Sequence, residues 1–211
     1  MTSRDAVLTK IRAALAGDGP GTPIPRDYIR RGANGPGSEH VIELLVDRLV
    51  DYKALVSRVS VADLSGAVDA ALSGLGSVVI APDLEPAIGD ACARGDRTVT
   101  ADSAPNALSP QELDAIDAVV TTARVAIAMS GTIILDGGPG QGRRAITLVP
   151  DRHIIILTAE QVVETVAEAI AVLTPTAPLT MIAGPSATSD IELERVEGVH
   201  GPRTLHVIIV G

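Results

Sequence analysis

The chain has 211 residues, a formal charge of −9 and 46% hydrophobic residues, with a sequence pI near 4.8. That is enough chain for one substantial domain, and its acidity argues against nonspecific binding to DNA or to an anionic membrane surface. Phe and Trp are absent and Tyr28 and Tyr52 are the two aromatics, which removes base-stacking platforms; the single Cys92 permits neither an internal disulfide nor a cysteine-cluster metal site.

Taken in order, Asp5 to Ala16 groups Val7, Leu8, Ile11 and Leu15 at helical spacing, and Gly17 stops it. Asp18 to Gly37 mixes Pro, Gly and Arg and reads as a flexible arm, so residues 1–37 are expected to form a helical extension and residues 38–211 the α/β domain. The start carries no hydrophobic signal segment and no apolar run spans a bilayer uninterrupted, so a cytoplasmic protein without stable membrane insertion is expected.

Ser38 is placed to cap a helix reaching about Ser57, and a second helix is expected from Asp63 to Leu72. Val78 to Ile80 reads as a buried strand, Glu85 to Gly95 as a weak helix and Arg97 to Ala101 as a strand. Ser109-Pro110-Gln111-Glu112 is a helix start: Ser109 caps, Pro110 takes the first position and Glu112 returns the capping bond. Ala118 to Ala128 and Thr132 to Leu135, broken at Gly131, suggest two neighbouring strands or one bulged strand.

Ala145 to Val149 reads as a short apolar connection. The continuous run His153 to Leu157 reads as a central strand covered on both faces. Thr158 with Gln161 predicts the cap of a helix that buries Val162, Val163, Val166, Ala169, Ile170 and Leu173 and exposes Glu164 and Glu168. Leu179 to Ala183 and Leu205 to Val210 are the last strands. Strand-helix alternation predicts an α/β fold: an open, mostly parallel sheet with flanking helices.

The chemistry concentrates in two places. Asp136-Gly137-Gly138-Pro139-Gly140-Gln141-Gly142-Arg143-Arg144 lacks both the Gly-Lys-Ser/Thr ending of a phosphate loop and the Gly-x-Gly-x-x-Gly fingerprint. Gly137, Gly138, Gly140 and Gly142 can still present backbone amides, with Arg143 or Arg144 pairing with a carboxylate or phosphate, and Asp136 can orient a ligand, move a proton or satisfy its own turn. The second place is Ser186-Ala187-Thr188-Ser189-Asp190, three hydroxyls and a carboxylate after a strand end, able to hold an anion or to cap a helix. Downstream, Glu192 is a weak acid-base candidate, His200 could transfer a proton and Arg203 could clamp an acid group. His40, His153, His200 and His206 make no metal spacing, so no metal site is expected.

Gly131 through Arg143, Gly184 through Glu192 and Val196 through Arg203 together resemble the LUD domain of the lactate-utilisation protein C (LutC/YkgG) family. The resemblance implies a fold akin to the phosphosugar-isomerase and coenzyme-A-transferase group. It also implies a part in bacterial oxidation of L-lactate to pyruvate beside a cysteine-rich protein and an iron-sulfur protein. No cofactor is expected in this chain, the iron-sulfur clusters belonging to those partners, and a small anionic or carboxylate ligand is expected at the loops. Where many family members carry Ala-Glu-Thr-Gly-Thr, this chain has Ala128-Met129-Ser130-Gly131-Thr132: if that glutamate is catalytic in relatives, this chain has lost the step or moved the charge elsewhere, and a methionine facing the core is the plain structural alternative. Two other functions fit the same residues: a sugar-phosphate isomerase or coenzyme-A-dependent acyltransferase using Asp136 or Glu192, and a noncatalytic regulatory or assembly module.

Overall fold

The computed structural model describes residues 2–17, 23–188, 196–197 and 201–211. In chain order the elements are α1 (Ser3–Leu15), α2 (Glu39–Asp51), β1 (Leu55–Val59), α3 (Leu64–Ala71), β2 (Ser77–Ile80), α4 (Pro86–Cys92), β3 (Thr98–Ala101) and α5 (Pro110–Asp114). They continue with β4 (Ala118–Thr122), β5 (Val125–Ile127), β6 (Thr132–Leu135), β7 (Arg152–Thr158), β8 (Val162–Val163), α6 (Val166–Val172) and β9 (Thr180–Ile182). Last come β10 (Ala187–Thr188), β11 (Val196–Glu197) and β12 (Thr204–Val210).

The main sheet runs β1-β12-β7-β4-β2-β3, every neighbouring pair parallel. At its centre β7 buries His153 to Leu157 without a break, as expected of a strand covered on both faces. One face carries Val120, Ile154, Ile156 and Ile208 against α3 and α4, through Val68, Leu72 and Ile88. The other presents Ile155, Leu157 and Val207 to Leu45 and Leu49 of α2 and to Ile133 and Leu135 of β6. A smaller cluster joins Val79 and Val119 to Leu113 of α5 and to Ile146. Each fully buried aliphatic side chain stabilises the fold by about 1.5–3 kcal/mol before entropy is counted, which is how a core can be built without Phe or Trp.

A second sheet, β8-β5-β6-β9, is not apparent from the sequence pattern and is mixed: β5-β6 and β6-β9 are antiparallel and β5-β8 parallel. The stretch from Ala118 to Leu135 is therefore divided between the sheets, β4 entering the parallel one and β5-β6 forming a hairpin in the other.

Three local expectations are corrected. The helix after Ser38, α2, ends at Asp51, six residues before Ser57: Lys53 takes φ 70°, a reversal that hands the chain to β1, and Ser38 leaves its Oγ buried without a partner instead of capping. The Thr158–Gln161 capping box forms, but it closes a single 3-10 turn over Ala159–Gln161. Val162 and Val163 then pair as β8 on β5, and α6 starts only at Val166 under a second box made by Thr165 and Glu168. Third, the arm is anchored at its end. Asn34 donates its backbone N–H (2.8 Å) and Nδ2 (3.1 Å) to the Glu164 carboxylate, and the Gly37 N–H reaches the Val162 carbonyl at 2.9 Å. A Cβ at Gly32 would collide with that carboxylate. Residues 23–31 stay exposed, and α1 buries none of its side chains.

Candidate ligand-binding site

After β2 the chain goes outward to β3 and then returns to the other side of β2 as β4. The crevice above the carboxyl ends of β2 and β4 is thus the switch point where open α/β sheets commonly take ligands. The Asp136–Arg143 loop fills it. Gly140, at φ 72°, lies so close to Thr122 that a Cβ would come within 2.9 Å of its side chain, and at Gly142, φ 66°, a Cβ would meet the Ile146 Cδ1 at 2.5 Å. These two glycines permit backbone to pack where side chains would not fit.

The loop satisfies much of its own polarity. Gln141, 3% exposed, accepts the N–H groups of Asp136 (2.7 Å) and Gly137 (3.0 Å) on its Oε1. Asp136 Oδ1 accepts the Gly138 N–H at 3.1 Å, the Thr122 N–H donates to the Gly140 carbonyl (3.0 Å) and Thr122 Oγ1 to the Pro139 carbonyl (2.6 Å). The amides of residues 136–138 are turned inward. Arg143 is engaged as well: its Nε and Nη2 donate to both carboxylate oxygens of Asp102, whose side chain is 1% exposed, and Nη2 also reaches the Leu108 carbonyl. Hydrogen bonding from Arg143, partly opposed by burial, holds the Asp102 carboxyl below the usual range.

Two cavities lie at opposite ends of the main sheet. One, about 460 Å³, lies at the carboxyl ends of β4, β7 and β12 beside Thr122, Arg124, Asp136, Gln141 and Gln161. Its polar groups are largely paired with each other. Arg124 sits 3.6 Å from Asp136 and donates to the Val172 carbonyl at 2.9 Å, and Gln161 Nε2 donates to the Ala123 carbonyl at 2.7 Å.

The other, about 350 Å³, opens at the amino ends of β7 and β12 on the face covered by α2 and the second sheet. Its wall includes Arg144, Thr147, His153, Ser186, Gly201 and Leu205. His153 is 1% exposed and shares a 2.8 Å hydrogen bond between its Nε2 and Thr121 Oγ1; burial pushes its pKa down to about 3, so the ring is neutral at pH 7. The Ser186 N–H donates to the Pro202 carbonyl at 2.8 Å, drawing both segments to the cavity mouth. Arg203 points to a different partner, Asp151, through its Nε.

The sequence candidates thus separate. Gly137, Gly138, Gly140, Gly142, Asp136 and Arg143 belong to the switch-point loop, and Ser186 to the second cavity. Thr188 lies in β10, paired with Val196. Ser189, Asp190, Glu192 and His200 fall outside the described residues. Asp102, Arg124, Thr147 and His153 enter the sites without having been singled out as site residues from sequence. Of these, His153 left a trace, the polar first residue of the otherwise apolar run His153 to Leu157. Cys92 is fully buried and burial raises its thiol pKa to about 11, the state of an inert core cysteine. Among the described residues no group of three or more His, Cys, Asp or Glu side chains is placed to hold a metal ion.

The LUD domain model matches residues 54–210, from just before β1 through the last residue of β12. The chain belongs to the LUD domain family. Among relatives of this LUD chain is the lactate utilization protein C of Deinococcus radiodurans, 41% identical over 218 residues that cover 97% of this chain and 94% of the relative. The protein of that name from Geobacillus sp. (strain WCH70) is 33% identical over 100 residues, 43% of this chain and 41% of the relative. A crystal structure of a DUF162 family protein from Deinococcus radiodurans at 1.70 Å superposes with TM-score 0.68 and 36% identity, covering 82% of this chain and 97% of that one. Met129 is 59% exposed in the β5-β6 turn, so a core-facing side chain does not explain the methionine at this position. Its backbone N–H donates to the Glu164 carbonyl at 3.2 Å, and Gly131 packs tightly on Arg48 and Tyr52, so the turn's backbone carries the packing and leaves the side chain outside.

Proposed function

We propose that this LUD protein is a component of a bacterial L-lactate utilisation system, handling the substrate or product of L-lactate oxidation to pyruvate beside iron-sulfur and cysteine-rich protein partners in the cytoplasm. The near full-length identity of 41% to a lactate utilization protein C carries the proposal. Conversion of a 2-hydroxy acid to a 2-oxo acid removes two electrons and two protons. The sole cysteine is buried Cys92, so a cysteine-ligated cluster that accepts those electrons belongs to a partner. No helix among the described residues is long and apolar enough to cross a membrane.

The test is genetic and biochemical together. A strain lacking the gene should lose growth on L-lactate as carbon source but keep growth on pyruvate, and tagged protein expressed from its own locus should copurify with iron-sulfur proteins. Normal growth on L-lactate without the gene would overturn the proposal.

A further inference from the structure

Two adjacent arginines have different surroundings. Arg143 is held by Asp102 and the Leu108 carbonyl, whereas Arg144 is exposed, lines the 350 Å³ cavity and has no carboxylate or carbonyl partner for its guanidinium among the described residues. The cause is local. Arg144 opens the 3-10 turn Arg144–Thr147, which drives Ile146 into the core and turns Thr147, 2% exposed, toward the cavity. With Ile146 anchored, Arg144 is left at the rim.

Beneath it the cavity is lined by Leu148, Ile182, Pro185 and Leu205 as well as by polar groups, and no carboxylate lines it among the described residues. Thr147 Oγ1 donates its proton to the Arg144 carbonyl at 2.9 Å, leaving oxygen lone pairs to accept. His153 uses Nε2 toward Thr121, and no described residue bonds its Nδ1. One cation, a neutral imidazole and a hydroxyl over an apolar floor suit an anion of charge −1 that has a second oxygen near the charged group.

We infer that this cavity binds a small 2-hydroxy or 2-oxo monocarboxylate, its carboxylate paired with Arg144 and its second oxygen accepting from His153 Nδ1–H, a 2-hydroxyl in addition donating to Thr147 Oγ1. L-lactate and pyruvate are chosen as probes on the strength of the proposed function; the location and charge of the ligand follow from the cavity itself. Arg144 is the ligand clamp, and Arg143 braces the loop that carries it. A dianion such as phosphate meets only one free cation among the described residues of the cavity, and a neutral amide forfeits the charge-assisted pair.

The test is isothermal titration of the full chain at pH 7 with L-lactate, pyruvate, lactamide and inorganic phosphate, with ¹⁵N-histidine NMR of the same samples. L-lactate or pyruvate should bind, lactamide and phosphate at least about tenfold more weakly, in line with loss of one charged hydrogen bond. The His153 ring resonances should shift on addition of the carboxylate. Arg144→Gln, at an exposed position where folding is little at risk, should weaken binding by about tenfold or more, while Arg124→Gln in the other cavity should change it less than about twofold. Absence of monocarboxylate binding, preference for phosphate, parent-like affinity in Arg144→Gln, or loss confined to Arg124→Gln would each overturn the inference. If the strain needs the protein for growth on L-lactate but the titrations fail, the cavity assignment falls and the proposed function stands. Carboxylate binding through Arg144 in a protein dispensable for that growth gives the reverse.

Discussion

Replacing Arg143 by alanine separates a structural arginine from a ligand-binding one. Asp102 accepts hydrogen bonds from Arg143 Nε, from Nη2 at 2.9 Å and from the Leu108 N–H at 2.8 Å, with its side chain 1% exposed. Removing the guanidinium leaves a buried carboxylate with a single donor. Breaking a fully buried pair this way costs about 3–5 kcal/mol; because the Arg143 side chain is 39% exposed and water can partly replace it, about 2–4 kcal/mol is expected. In a chain of this length that is a fall in Tm of about 5–15 °C. The assay is urea unfolding of the parent, Arg143→Ala, Asp102→Asn and the double variant. The double variant should lose at least about 1 kcal/mol less than the two single losses combined, since each removes the same pair. An Arg143→Ala protein within about 0.5 kcal/mol of the parent that no longer binds carboxylate would refute the structural assignment and make Arg143 the clamp.

Two more perturbations probe the same region. His153 stays neutral in the folded protein down to about pH 3 while an unfolded histidine takes up a proton below about pH 6.5, so its contribution is complete above pH 6.5 and is lost as the pH falls. Between pH 6.5 and 4.5 stability measured by urea unfolding should decline by up to about 1.4 kcal/mol per pH unit from this group, with a same-signed part from half-buried His206, and His153→Gln should flatten the decline; an unchanged slope would mean that His153 is not the group responsible. Gly142→Ala should lower stability by about 1–3 kcal/mol, because φ is 66° and the new methyl meets Ile146, and an unchanged urea midpoint would show that the loop relaxes around it.

Much of the architecture is legible locally. The Ser109–Glu112 capping box, the continuous burial of β7 and the helix Leu64–Ala71 follow from side-chain type and spacing, because a cap bond or an apolar face involves residues a few positions apart. The α2–β1 boundary was not legible, since Val56 continues an apolar pattern that helix and strand share until the reversal at Lys53 separates them. Val162 and Val163 were ambiguous in the same way: β5, over thirty residues earlier, makes them a strand.

The same division runs through the candidate site. Sequence by itself determined an aromatic-poor α/β chain with a glycine-shaped loop and a pair of arginines after it, and it carried the family's motifs. Tertiary structure decided which arginine is available. Asp102, 41 residues from Arg143, captures that side chain, while burial of Ile146 leaves Arg144 at the mouth of a cavity floored by β7 and β12. Both outcomes depend on contacts between residues far apart in the chain, and such contacts exist only once the sheet has assembled.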